Sequence, residues 1–148
     1  MDKPQKSVLI VDDENINIMA LTDILSPHYI LYAEKSGKRA LKAARKYLPD
    51  VILLDILMPD MDGYAVISEL KICEKVRDIP VIFITGLNSV CDEEKGLAFG
   101  AAEYITKPFS PSIVKLRVSN QILLRDIQKQ QRDGFADSGR AYGDSGEV

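Results

Sequence analysis

The chain has 148 residues with a formal net charge of −3 and a pI of about 5.2, long enough for one domain with a real core. No basic stripe dominates, which argues against direct nucleic-acid binding. The first apolar run, Val8 to Val11, is too short for a signal peptide or a membrane span, so the expected location is the cytoplasm. Cys73 and Cys91 have neither metal-ligand nor redox spacing and read as small gap-fillers in a reducing compartment.

In chain order, Ser7 to Val11 predicts a short buried strand that ends at Asp12-Asp13. Glu14 to Leu25 predicts a helix whose apolar positions Ile16, Met19, Ala20 and Ile24 recur at helical spacing. Ser26-Pro27-His28 breaks it, and His28 reads as a surface histidine. Tyr29 to Ala33 is the second predicted strand. A helix from Ser36-Gly37 through Tyr47 follows, with Ala40, Leu41, Ala44 and Leu48 on one side. Pro49-Asp50 leads into the run Val51-Ile52-Leu53-Leu54-Asp55-Ile56-Leu57-Met58. That run reads as a strand buried on both faces, as in a parallel sheet. A carboxylate within it costs several kcal/mol, roughly, unless it is compensated, so the strand must deliver Asp55 to an edge where a polar partner waits.

A helix after Gly63 carries Ala65, Val66, Ile67 and Leu70. Val81 to Thr85 is the fourth predicted strand, Asn88 to Phe99 a helix closed by Gly100, and Glu103 to Thr106 a short fifth strand. Pro111 opens the last helix, which is expected to run to about Gln131. Val114, Val118 and Ile122 form one stripe on it. Ile113, Leu116, Asn120, Leu123 and Ile127 form a second, which is either a wide apolar face or a short coiled-coil seam with Asn120 as its register residue. The glycines, serines and aspartates beyond Arg132 predict a flexible tail or linker.

Five alternating β-α units predict a single α/β domain, a (βα)5 doubly wound parallel sheet with helices on both faces. Right-handed crossovers place every strand's C-terminal end on one edge, where ligands bind. Asp12, Asp13, Asp55, Thr85 and Lys107 are therefore expected to meet there. Three converging carboxylates need a cation, and a hard divalent ion such as Mg²⁺ suits few carboxylates plus water and phosphate oxygens. With Lys107 as a fixed positive charge and Thr85 as a hydroxyl donor, the constellation suits a phosphoryl group attacked by a carboxylate.

At residues 6–125 the chain resembles the receiver domain of bacterial two-component response regulators. The resemblance rests on Val8-Leu9-Ile10-Val11-Asp12-Asp13-Glu14, on Leu54-Asp55-Ile56-Leu57-Met58-Pro59-Asp60-Met61-Asp62-Gly63, on Ile82-Phe83-Ile84-Thr85-Gly86 and on Tyr104-Ile105-Thr106-Lys107-Pro108-Phe109. It implies a flavodoxin-like strand order 2-1-3-4-5, with residues 1–5 as an N-terminal extension and 126–148 as helix extension and tail. It implies that Asp55 accepts a phosphoryl group from a histidine kinase or phosphotransfer protein. Mg²⁺ would be held by Asp13, Asp55 and the Leu57 carbonyl, with Asp12 acting through a metal-bound water. Lys107 would bind a phosphoryl oxygen, Thr85 would move to donate a hydrogen bond, and Tyr104 would turn inward when it does. The Lys107-Pro108 bond would be cis, and Gly63 would shape the loop after Asp55.

Leu57 and Leu87, expected to border the phosphoryl group, are apolar where many relatives are polar, so they are expected to hinder a hydrolytic water and lengthen the phosphorylated lifetime. A homodimer through the fourth helix, fifth strand and fifth helix, or through the C-terminal helix, is also expected. A haloacid-dehalogenase-type phosphatase would require a second aspartate where Glu14 stands. A flavin binder would not place Asp12-Asp13-Glu14-Asn15 in its phosphate loop. A phosphate-independent receiver-like interaction module usually lacks one of the acidic or lysine positions, and all are present here.

Overall fold

A computed structural model describes residues 5–146, with side-chain surroundings as far as Gly134. Residues 1–4 of the expected N-terminal extension, and 147–148, lie outside the described residues. Five strands alternate with five helices: β1 (Ser7–Val11), α1 (Asn15–Leu25), β2 (Ile30–Glu34), α2 (Gly37–Tyr47), β3 (Val51–Leu54), α3 (Gly63–Ile72), β4 (Val81–Thr85), α4 (Val90–Ala98), β5 (Glu103–Thr106) and α5 (Pro111–Gly146). The strands form one parallel sheet in the order β2-β1-β3-β4-β5, as expected.

The sheet is buried because its side chains alternate between two apolar layers. Leu9, Val11, Ile52, Leu54, Val81 and Phe83 join Ala40, Ala44, Val66 and Ile67 of α2 and α3 on one face. Val8, Ile10, Val51, Leu53, Ile82 and Ile84 join Leu21 and Leu25 of α1 and Val114 and Val118 of α5 on the other. Side chains start several helices: Ser36 accepts from the Arg39 amide, Asp62 from the Ala65 amide, and Ser89 and Asp92 form a reciprocal capping box.

Three expectations need correction. On α1 the inward residues are Leu21 and Leu25, with Ile18 and Ile24 against them, while Ile16 and Met19 point to solvent. That helix is apolar on several sides, so spacing alone did not choose the packed face. Leu48 lies outside the buried stripe of α2. It is the C-terminal cap, in the left-handed region at φ 49°, where the chain turns toward β3, and it is exposed. Finally, α5 does not end near Gln131 but continues to Gly146, through the stretch whose composition suggested a tail. Gly134, Gly139 and Gly143 lower helix propensity by about 1 kcal/mol each, yet leave the backbone free to continue its i to i−4 hydrogen bonds.

Candidate functional site

The C-terminal ends of β1, β3, β4 and β5 open onto one edge. Backbone bonds fix the residues there: the Asp55 amide donates to the Val11 carbonyl at 2.9 Å, and the Lys107 amide to the Thr85 carbonyl at 2.8 Å. Asp55 follows the last residue of β3 and is only 4% exposed, as is usual for a group held by partners rather than by water. Asp12 is 2% exposed and Asp13 half-buried. One carboxylate oxygen of each of the three lies within 4.8 Å of the others.

Lys107 crosses this cluster. Its Nζ lies 2.7 Å from Asp12 Oδ2 and 3.0 Å from Asp55 Oδ2. The opposite oxygens are also occupied: Asp12 Oδ1 accepts from the Glu14 amide at 2.9 Å and Asp55 Oδ1 from the Leu57 amide at 3.2 Å. Burial pushes the Asp55 carboxyl above the usual carboxylate range, and the neighbouring Asp12 charge adds to that. The Lys107 hydrogen bond and charge oppose the rise without cancelling it. For Lys107, burial acts to lower the ammonium's pKa, but the hydrogen bonds to Asp12 and Asp55 outweigh it, and the net shift is upward. The site is thus short of positive charge, with three carboxylates facing one ammonium.

Thr85, at the end of β4, is fully buried, and its Oγ1 accepts from the Leu87 amide at 3.4 Å. Tyr104, on β5, is half-buried; its hydroxyl donates to the Leu87 carbonyl, and its ring meets Phe83 edge-on at 6.2 Å. Burial raises the Tyr104 phenol to about 12. Leu57 is 55% exposed beside Asp55, whereas Leu87 is half-buried and packs against the core layer that includes Phe83. The Lys107-Pro108 peptide is cis. A Cβ on Gly63 would lie 2.7 Å from the Asp55 carbonyl oxygen and from Ile56 Cα, so α3 can begin this close to the Asp55 loop only with glycine there.

Every residue expected at the site is therefore within this edge or its supporting shell. Sequence reasoning missed the Leu87 backbone, which ties Thr85 and Tyr104 together. It also missed Gly96, where a Cβ would lie 2.8 Å from the Tyr104 ring. A glycine inside a predicted helix was the available signal for the latter. A backbone amide and carbonyl carry no side-chain signature at all.

The family model for the response regulator receiver domain matches residues 8–119. A Vibrio cholerae protein named "Probable cyclic di-GMP phosphodiesterase" is 40% identical over 135 residues, covering 89% of this chain and 31% of that one. The response regulator PleD of Caulobacter vibrioides is 33% identical over 132 residues, covering 86% of this chain and 29% of that one. Among solved structures, the signal receiver domain of a signal transduction histidine kinase from Syntrophus aciditrophicus superposes with a TM-score of 0.73 at 34% identity, covering 79% of this chain and 89% of that one. A Francisella response regulator receiver domain does so with a TM-score of 0.73 at 28% identity, covering 79% and 96%.

The chain belongs to the response regulator receiver domain family, the phosphoacceptor modules of two-component systems, which interact with histidine kinases or phosphotransfer proteins. It spans about a third to a half of the length of the curated relatives it matches. Among the described residues, no helix is long and apolar enough to cross a membrane.

Proposed function

We propose that Asp55 is the phosphoacceptor, receiving a phosphoryl group from a phosphohistidine of a kinase or phosphotransfer protein. The observation that carries this reading is the Lys107 ammonium bridging Asp12 and Asp55 at one strand edge. In the transfer, an Asp55 carboxylate oxygen forms a bond to phosphorus as the phosphorus–nitrogen bond breaks, and the departing imidazole keeps the electron pair. Lys107 supplies a positive charge to a phosphoryl oxygen. Thr85 leaves the Leu87 amide and donates its hydroxyl to another.

The donor set fits Mg²⁺: hard carboxylate oxygens close together, with more negative charge than Lys107 balances. Asp13, Asp55 and the Leu57 carbonyl would hold the ion, and Asp12 would reach it through a water. When bound, Mg²⁺ neutralises phosphoryl oxygens as charge develops on them. Leu57, exposed beside Asp55, screens the acyl phosphate from water and slows its hydrolysis. The free cysteines Cys73 and Cys91 support a cytoplasmic setting for this chemistry. The chain acts as a switch and not as a turnover catalyst.

Incubation with acetyl phosphate and Mg²⁺, read by intact-protein mass spectrometry, tests the reading. One phosphoryl group is expected on the wild type and none on Asp55→Asn. Sustained turnover of p-nitrophenyl phosphate would instead favour a phosphatase.

A further inference from the structure

At the end of the sheet where β3 and β4 begin, opposite the Asp55 edge, α5 and the turn after α3 border a cavity of about 150 Å³. Arg125, Gln128, Lys129 and Arg132 line it from α5, and Lys75 and Asp78 line it from the turn. The four α5 residues have the i, i+3, i+4, i+7 spacing of one helix face. Four cationic side chains therefore meet one carboxylate, in a chain whose net charge is −3. Asp78 is also close enough to Lys71 to favour the charge of that ammonium. Asp126, beside Arg125 in sequence, is taken up by Lys6 at 3.0 Å.

Arg125 is the anchored member of the group. Its Nη1 donates to the Pro49 carbonyl at 3.2 Å and to the Asp50 carbonyl at 3.3 Å, just ahead of β3. Its Nε is buried and has no acceptor among the described residues. The guanidinium is a planar fork with five N–H donors, and the Nη1 bonds leave its Nε edge uncommitted. An oxyanion satisfies such an edge with two oxygens at once. Arg125 and Lys129, four residues apart, also repel each other along the helix.

We propose that this cavity binds a small phosphate-bearing anion, as free pyrophosphate or as the phosphate tail of a nucleotide, and thereby ties the α3–β4 turn to α5. The local excess of three positive charges favours a multiply charged anion over a single carboxylate. The volume takes several waters, or phosphoryl oxygens in their place, and is too small for a nucleic-acid strand. The anion offsets the repulsion between Arg125 and Lys129 and draws Lys75 toward them. Binding steadies α5 beyond the sheet without involving phosphoryl chemistry at Asp55.

Titration of the full chain with sodium pyrophosphate, followed by nuclear magnetic resonance, tests the site. Mg²⁺ is left out, and ionic strength is held at about 0.1 M, where diffuse attraction is screened beyond roughly 10 Å. Saturable shifts are expected for amides of residues 74–79 and 125–132, with a dissociation constant at or below about 1 mM. Lys129→Gln combined with Arg132→Gln should weaken binding by about tenfold or more, because two charged donors are lost. Both positions are exposed, so circular dichroism of this variant should match the wild type. Lys42→Gln, on α2, should leave binding unchanged. Hydrogen exchange of the α5 amides after Arg125 should slow as the site fills. ATP in place of pyrophosphate separates the sources: tenfold tighter binding assigns the site to a nucleotide, and equal or weaker binding to a free diphosphate. No saturation by about 10 mM, an affinity indifferent to the double substitution, shifts confined to the Asp55 edge, or unchanged exchange at saturation would overturn the proposal.

Discussion

The Tyr104 hydroxyl donates to the Leu87 carbonyl across 2.8 Å, joining β5 to the loop that follows β4. The Leu87 amide meanwhile donates to Thr85 Oγ1. One loop residue thus holds the threonine through its nitrogen and the tyrosine through its oxygen. If Thr85 turns toward a phosphoryl group, the Leu87 amide loses its acceptor and the loop loses a tether. Tyr104 then loses the reason to stay where it is. The coupling needs only two alternative hydrogen-bond sets and a loop between them.

Tyr104→Phe removes the tether from the resting arrangement only. A net hydrogen bond contributes about 0.5–1.5 kcal/mol, so the variant should bind beryllofluoride with Mg²⁺ a few-fold more tightly. Fluoride titration followed by nuclear magnetic resonance measures this. Unchanged or weaker binding would mean that the bond does not hold the resting state.

The same phenol predicts an alkaline response. Its folded pKa of about 12 stands above the ordinary value near 10. A raised value means that the fold favours the protonated form. This contribution is complete below about pH 10 and is lost as pH rises toward 12. Lys107, also raised, acts in the same direction. Urea unfolding between pH 9 and 12 should therefore show a steeper loss of stability for the wild type than for Tyr104→Phe. Parallel curves would count against the shift.

Asp55 has the raised pKa of a carboxylate whose charged form the fold resists. Its contribution is complete at pH below its unfolded value and declines as pH rises through the folded one. Near neutral pH without metal, Asp55→Asn should raise the melting temperature by a few degrees. A lower melting temperature would show that Lys107 more than compensates the buried charge.

Mg²⁺ should stabilise the wild type in proportion to occupancy, by about 2.7 kcal/mol at a hundredfold excess over its dissociation constant. Chelator should reverse the gain, and Asp13→Asn or Asp55→Asn should remove most of it. Thermal scans in MgCl₂ and in NaCl of equal ionic strength make the comparison. Coincident scans would dissociate the acidic cluster from metal binding.

Gly63→Ala tests the packing beneath the site. On helix propensity alone, alanine at the first residue of α3 would stabilise by up to about 1 kcal/mol. The 2.7 Å approach to the Asp55 carbonyl and Ile56 instead predicts a net loss of about 1–3 kcal/mol in urea unfolding. A stabilised variant would show that the loop yields without cost.

Strand and helix order were readable because β-branched runs and turn residues punctuate this chain clearly, and the five carboxylate, hydroxyl and lysine positions each stand at a strand end. What stayed hidden follows from the same physics. Ile16, Ile18, Met19, Leu21, Ile24 and Leu25 surround α1 with apolar groups, so the packed side emerges only when β1 and β2 are in place. Leu48 has the side chain of a core residue but the backbone of a turn. The Leu87 tether uses peptide groups that every residue possesses.

The strand order also bears on how the chain comes off the ribosome. β1 and β3 are neighbours, so Asp12 and Asp55 can meet once the first half of the chain has emerged. Lys107 lies 52 residues beyond Asp55. Until Lys107 arrives, the two carboxylates that β1 and β3 bring together lack the ammonium that bridges them in the complete fold.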